Sequence, residues 1–345
     1  MSGREISSVA IVGAGAMGAM YAVHFAEAGF RVTLVASGER AQRLARDGIR
    51  VNGRHWRFAV TDPTDPTDAT DATDPADTTR TEPPTPVDLV LVAVKAAQLA
   101  EAVELIAPLV DAGTTIISSL NGLDSEEALA ERYDPAQVLL SMAAGMETQR
   151  VAGEVQFRRV GRFSIGVDKR LHDDGQSEQA ERVAALGRAL DRAHLAWQQP
   201  DDVLHALWWK FMVNVGANQA SALMGAAYGV LKPPGPARDF MSALMAEVIA
   251  VGRAEGVQLT DADLAQWDAV LAGQPDDGRT STLQDVEAGR PTEVAIFAGR
   301  VVGLGAKHGI PTPFNQTVLW VLSDYAARLP AGRNRRPRSE QRAGV

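Results

Sequence analysis

Lys210, Asn214 and Asn218 recur at four-residue spacing within Val203–Leu223, the stretch VLHALWWKFMVNVGANQASAL. At i, i+4 and i+8 of a helix the three side chains share one face. The rest of the stretch is apolar on nearly every side, with Leu204, Leu207, Trp208, Trp209, Phe211, Met212, Val213 and Val215. A helix hydrophobic all round is predicted to be buried. An ammonium on such a helix requires a carboxylate, water or a ligand to face it. Two readings stay open. One is an internal network that satisfies the polar groups among themselves, since such networks also perturb charges. The other is a site in which the lysine stabilises developing negative charge on oxygen and supplies a proton, while asparagine amides donate and accept hydrogen bonds.

A second constellation lies near the N-terminus. The apolar run Val9–Val12 leads into Gly13-Ala14-Gly15-Ala16-Met17-Gly18, a helical pattern follows to Ala28, and Arg31–Val35 reads as another strand. Strand, GxGxxG, helix and strand within one βαβ length form a dinucleotide-binding fingerprint. The first glycine permits the tight turn, the second lets the backbone approach a pyrophosphate, and the third lets helix pack on strand. Amides at the helix start then face the anion. A structural glycine turn is the bland alternative, and the surrounding pattern argues against it. The second strand ends Ser37-Gly38-Glu39-Arg40, with Arg43 nearby. An NAD site usually has an acid there for the ribose diol. Small groups, a hydroxyl and cations suit a 2′-phosphate, so NADPH is the expected cofactor, although Glu39 argues mildly against it and the arginines would also suit a solvated face.

Further elements place these groups. Ile49–Val60 reads as strand pieces turning at Asn52-Gly53. Val87–Val94, VDLVLVAV, is the near-continuous apolar run of a parallel strand buried on both faces, with Lys95 at its C-terminal end. Thr115–Leu120 repeats the pattern and ends at Asn121-Gly122. Ligands of open α/β sheets bind beyond the carboxyl ends of strands, where Lys95 and Asn121 fall. Val138–Leu140, Val155–Val167 and Ala196–Gln199 read as further strands, the middle one as antiparallel edge strands, with a covering helix over Ser177–Arg192. Beyond Pro200 no strand pattern survives. Helices are expected near 203–224, 236–256, 261–272, 281–288, 291–308 and 313–329. Residues 1–199 thus form an α/β Rossmann-type domain and 200–330 an all-α domain, with the hinge near Gln199–Asp202. Glu293 sits two residues after Pro291, which suits the third position of a helix and a capping-box acid.

Composition excludes several classes. The chain has 345 residues, 46% hydrophobic, enough for two cores. It has no cysteine, so no disulfide, thiolate metal site or cysteine nucleophile. No apolar run reaches membrane-spanning length, and MSGREISS lacks a signal peptide's apolar core, so a cytoplasmic protein without membrane partners is expected. Of the net charge of −9, −6 falls in Thr61–Pro86, which holds six aspartates and Glu82 against Arg80 alone. This Thr/Asp/Pro segment has almost no apolar surface and is read as a disordered insertion at 61–86. Its aspartates lack EF-hand spacing, so no metal is expected there. No basic face points to nucleic acid. The terminal Ala331–Val345, with five arginines, reads as a flexible basic tail.

The chain resembles the ketopantoate reductase family from Val9 to about Leu329, the insertion excepted. The resemblance rests on GAGAMG at 13–18, VKAAQ at 94–98, LNG at 120–122, WWKFMVNVGAN at 208–218, STLQD at 281–285 and PTEVAIFAG at 291–299. It implies reduction of 2-dehydropantoate to (R)-pantoate with NADPH, a step toward pantothenate. It further implies that Gly13, Ala14, Gly15, Ala16, Met17, Gly18, Ser37 and Arg40 hold the cofactor. Lys210 takes the family's proton-donor position and Glu293 that of its acid. Asn214, Asn218 and Ser281 fall on substrate positions, with Lys95 and Asn121 near the nicotinamide and the reacting ketone. The chain departs from the family at three places: Ser37 stands where many members carry arginine, Tyr228 where a further substrate asparagine is often found, and Thr282 where methionine is common. A paralogue reducing another 2-oxo acid, or a catalytically silent NADP(H) sensor, are the competing readings. A homodimer is left open.

Overall fold

The computed structural model describes residues 5–65 and 83–327, side chains of 326 and 327 excepted. The Thr/Asp/Pro segment from 66 to 82 and the arginine-rich tail lie outside the described residues. The chain divides into two compact units, Met1–Leu204 and His205–Val345.

The first unit is built on a five-stranded parallel sheet. Its order across the sheet is Ala59–Thr61, Arg31–Val35, Ser8–Val12, Leu89–Val92, Thr115–Ser118. Ser8–Val12, Leu89–Val92 and Thr115–Ser118 are buried at every position, as a sheet covered on both faces requires. The strand order reverses between Ser8–Val12 and Leu89–Val92, whose ends are in register at Val12 and Val92. That reversal is the switch point where such sheets bind ligands. At the opposite end Asp88 ties the two strands: its Oδ2 accepts from the amides of Ser7 and Ser8, both at 2.9 Å, and from the two hydroxyls at 2.9 and 2.8 Å. Burial opposes ionisation of Asp88, but these four bonds outweigh it and hold its carboxyl below the ordinary value.

Two smaller sheets complete the unit. Their orders are Arg54–Trp56, Ile49–Val51, Glu154–Arg159, Glu147–Val151 and Ala196–Gln198, Arg162–Gly166, Leu140–Ala144. The expected edge pair over Val155–Val167 is thus split between two sheets. Gly161, at φ +76°, turns the chain from one to the other, where a Cβ would stand 2.3 Å from the Ala144 carbonyl oxygen. The covering helix begins earlier than its apolar pattern, at Asp173, with two aspartates in the first turn facing the positive end of its dipole. Order also runs further into the acidic segment than composition suggests. Thr61 closes a strand, and buried Asp62 accepts from the Gly38 amide at 2.6 Å, at the start of helix Gly38–Asp47.

Among the described residues the second unit is all helical, with helices Val203–Val213 (which begins in the first unit), Gln219–Met224, Tyr228–Leu231, Pro236–Ala254, Asp261–Ala272, Ser281–Glu287, Arg300–His308 and Pro313–Ala327. Two helices expected to be continuous are not. Asn214–Asn218 and Ala295–Gly299 are π-helical turns, the widened kind that often marks functional sites. The first is tied to close packing: Gly216 carries no Cβ, and one would stand 2.3 Å from Met245 Cγ. A π turn leaves backbone groups out of step, and fully buried Gln219 answers them. Its Nε2 donates to the Val215 carbonyl at 3.0 Å, and its Oε1 accepts the Ala298 amide of the other π turn at 3.1 Å. Gln219→Leu strands both groups and is expected to destabilise the fold by about 1–3 kcal/mol for each buried group left unpaired, read as a lowered denaturant midpoint with unchanged slope. An unchanged midpoint would show that the π turns do not depend on this glutamine. Among the described residues no helix is long and apolar enough to cross a membrane.

Candidate functional site

In the first unit the glycine turn follows directly from strand Ser8–Val12. Gly13 has φ +96°, and a Cβ on it would lie 2.7 Å from the Ala93 carbonyl oxygen of the neighbouring strand's exit. A Cβ on Gly18 would lie 2.1 Å from the Gly13 carbonyl oxygen. A Cβ on Gly15 meets nothing within 4 Å. Two glycines are therefore required by the protein's own packing, while the middle one faces open space. Helix Ala16–Glu27 starts at Gly15 with no side-chain cap, so its first amides are not taken by a side chain. This geometry fits the pyrophosphate of a dinucleotide, and the turn from Gly13 through Ala14, Ala16 and Met17 to Gly18 would hold it.

Around the turn lies a cleft lined in part by Val12, Gly13, Ser37, Arg40, Gln98 and Glu101. Ser37 and Arg40 thus stand on one cleft with the glycine turn. Glu101 was not visible as a site residue in the sequence. It comes from helix Leu99–Leu105 and accepts the Ser37 hydroxyl at 3.1 Å. The Ser37 hydroxyl is thus tied to an acid from another element, 64 positions along the chain, and no local pattern could have announced it. Lys95 is exposed, two residues past the strand exit that Gly13 presses against; its carbonyl accepts the Gln98 amide at 2.8 Å, opening a short helical turn. Asn121 is half-buried beyond strand Thr115–Ser118, followed by Gly122 at φ +96°. Both residues lie beyond the carboxyl ends of adjacent strands, Leu89–Val92 and the edge strand Thr115–Ser118.

In the second unit helix Val203–Val213 buries Leu207, Trp208, Phe211 and Met212. Lys210 and Asn214 are partly buried and Asn218 is buried, so the polar stripe runs from a partly open face of the helix into the interior. The Trp209 indole donates to the Asp263 carbonyl at 3.1 Å, and His205 meets the Asp263 carboxylate at 3.0 Å, fixing the helix against Asp261–Ala272. The widened turn brings three expected residues together. Asn218 Nδ2 lies 3.2 Å from Asn214 Oδ1 and 3.3 Å from Ser281 Oγ. Asn214 Nδ2 is buried with no hydrogen-bond partner among the described residues. An amide left open beside two engaged neighbours is what a ligand-binding carboxamide requires.

Ser281 is the first residue of its helix, not the cap; Thr280 caps it, accepting the Leu283 amide at 3.2 Å. The Ser281 hydroxyl is thereby spared from capping and exposed. Glu293 also differs from its expected place. Its carbonyl accepts the amides of Ile296 and Phe297, each at 3.2 Å, so it stands at the mouth of the π turn and not three residues into a helix. The capping-box position is thus ruled out for Glu293. Phe211, beside Lys210, and Phe297, four residues past Glu293, face each other with ring centroids 6.4 Å apart. Tyr228 opens a short helix, its amide bonded to the Gly278 carbonyl at 3.0 Å, and a Cβ on Gly278 would lie 2.9 Å from the tyrosine ring. Burial pushes its phenol above the ordinary value.

A parallel nucleotide-binding sheet joined to an all-helical unit carrying a lysine–asparagine stripe defines a nicotinamide-dependent oxidoreductase. Sequence comparison narrows the class. The profile described as "Ketopantoate reductase PanE/ApbA" matches residues 9–169, and its C-terminal counterpart matches residues 202–326. The chain belongs to the ketopantoate reductase family, and it is an NADP-dependent oxidoreductase acting on 2-oxo acids. It is similar to a 2-dehydropantoate 2-reductase of Mesorhizobium japonicum, with 27% identity covering 90% of this chain and 95% of that protein. A Halobacterium salinarum 2-dehydropantoate 2-reductase is likewise 27% identical, covering 90% and 96%. Among solved structures, D-mandelate dehydrogenase in complex with NADH shares the fold at TM-score 0.76 and 19% identity, covering 94% and 100%. The 2-dehydropantoate 2-reductase of Geobacter metallireducens aligns at TM-score 0.69 and 26% identity, covering 92% and 99%.

Proposed function

We propose that the chain reduces 2-dehydropantoate to (R)-pantoate with NADPH. The observation that carries this reading is the hydrogen-bonded set Asn214, Asn218 and Ser281, with one carboxamide donor left open, on the helix that bears Lys210. NADPH supplies the hydride. As hydride adds to C2 of the ketone, the carbonyl electron pair moves onto oxygen, and the Lys210 ammonium stabilises that charge and delivers its proton. Glu293 supplies the compensating carboxylate. Asn214, Asn218 and Ser281 hold hydroxyl and carboxylate oxygens, groups that a hydroxylated 2-oxo acid carries.

The test is NADPH oxidation with a panel of 2-oxo acids, run with NADH in parallel. 2-Dehydropantoate is expected to give the highest kcat/KM. Asn218→Ala is expected to raise KM for it by about tenfold, the loss of roughly one good hydrogen bond to a polar ligand, with folding retained. One observation favours a second substrate. Tyr228 presents a half-buried aromatic ring where the family resemblance expects a carboxamide, which suits an apolar or aromatic 2-oxo acid. Preference for such a substrate over 2-dehydropantoate, reversed by Tyr228→Asn, would establish that paralogous activity. The reading also places the protein in the cytoplasm. The Staphylococcus aureus ketopantoate reductase is dimeric, and a homodimer in solution is expected here.

A further inference from the structure

We propose that Arg150 forms, with Arg40 and Arg43, the receptor for the cofactor's 2′-phosphate, taking over the anion-binding role that Ser37 does not fill. This rests on the NADP reading and adds to it a residue from a different sheet.

The Ser37 hydroxyl is committed to Glu101, so the end of the second strand presents an acid-bound serine, a poor partner for a phosphate dianion. Cations must supply the attraction. Arg40 and Arg43 lie one turn apart on helix Gly38–Asp47, and Arg40 lines the cleft beside Gly13. Among the described residues neither guanidinium has a hydrogen-bonded or ion-paired partner. Asp47, the carboxylate within electrostatic reach of Arg43, is engaged by Arg46 through both oxygens, at 2.7 and 2.9 Å.

Arg150 arrives from elsewhere. It sits on strand Glu147–Val151, paired with Val155 across a hairpin whose strands pack on helix Ala16–Glu27. Its Nη2 donates to the carbonyl oxygen of Ala14, inside the glycine turn, at 3.1 Å. One arm of the fork is therefore anchored on the dinucleotide-binding turn, and the other N–H groups are left for a ligand. Burial and the positive charges of Arg40 and Arg43 both disfavour the charged form of Arg150. Arg40 and Arg43 each act on Arg150 as a like charge, a repulsion that an anion between them would relieve, and arginine's planar fork matches phosphate oxygens in pairs. The pyrophosphate is already served by the uncapped amides at Gly15. Arg40 and Arg43, by contrast, follow the second strand, the place that reads the ribose 2′ position. The group that joins all three arginines is thus the 2′-phosphate.

The experiment is equilibrium binding of NADPH and of NADH, by nucleotide fluorescence, to wild type, Arg150→Ala and Arg150→Lys. Thermal unfolding checks that each variant is folded. Wild type is expected to bind NADPH more tightly. Arg150→Ala is expected to weaken NADPH binding by about 10- to 100-fold while leaving NADH within about twofold, and Arg150→Lys to fall between them. Equal weakening of both nucleotides would place Arg150 on the pyrophosphate or on the turn itself and overturn the proposal, as would no change for either. Wild type binding both nucleotides equally would instead overturn the NADP reading, and the proposal with it.

Discussion

Lys210→Ala is expected to lower kcat for 2-oxo acid reduction by about 10²- to 10⁴-fold, the usual worth of a positioned general acid. Binding of NADPH should stay within about twofold of wild type, because the lost interaction is made with charge that appears only in the transition state. The structural basis is the open side of helix Val203–Val213. Phe211 and Met212 anchor the helix in the core, while Lys210 emerges partly buried, on the side that carries Asn214. Alanine there removes no core packing, so a changed melting temperature would point to a structural lysine. Lys210→Arg separates charge from proton donation. A guanidinium keeps the positive charge but does not release its proton in proteins. It should recover transition-state stabilisation in part and leave kcat well below wild type. Full activity of the arginine variant would show that Lys210 acts as a charge alone. Full activity of the alanine variant would remove Lys210 from the reaction, and a carboxylate or bound water would then have to deliver the proton.

The second large effect separates binding from folding within one motif. A Cβ on Gly15 meets no protein atom within 4 Å, and the residue's extended backbone, φ −76° and ψ −163°, is open to any amino acid. Gly15→Val should therefore leave stability nearly unchanged. It occupies the space a pyrophosphate needs, and NADPH affinity is expected to fall by at least about 10²-fold, close to 2.7 kcal/mol. Gly18→Ala should do the reverse. Its Cβ would stand 2.1 Å from the Gly13 carbonyl oxygen, with backbone as the obstacle. The helix start must then shift, and stability is expected to drop by about 1–3 kcal/mol through overpacking. Calorimetry and nucleotide titration on the two variants provide the comparison. If Gly15→Val unfolds the protein, or binds NADPH as wild type does, the turn does not cradle the cofactor in the way its geometry implies.

The glycine spacing at 13–18 and the buried strands around it were legible in the sequence because they are local. A turn that must bring backbone against backbone needs glycine whatever lies elsewhere, and a strand covered on both faces has to be apolar throughout. The same holds for Lys210 within an apolar helix, whose polar stripe could be read from periodicity alone. What periodicity could not show is that the helix widens at Asn214–Asn218. A π turn costs backbone hydrogen bonds, and here the Gln219 side chain answers the Val215 carbonyl while joining the turn to the Ala298 amide 79 positions away, with Met245 packed against Gly216. Glu293 looked like a capping acid for the same reason: its helix was extrapolated through a turn that tertiary contacts reshape.

By itself the sequence determined the two-unit plan, the glycine turn and the candidate site residues, since each follows from short-range steric and hydrophobic patterning. Only the tertiary structure decided which of them meet. Ser281 reaches Asn218 across 63 positions, Glu101 reaches Ser37 across 64, and Arg150 reaches Ala14 across 136. Hydrogen bonds between residues so far apart depend on the packing of whole elements, and no repeat or spacing along the chain encodes that packing in readable form.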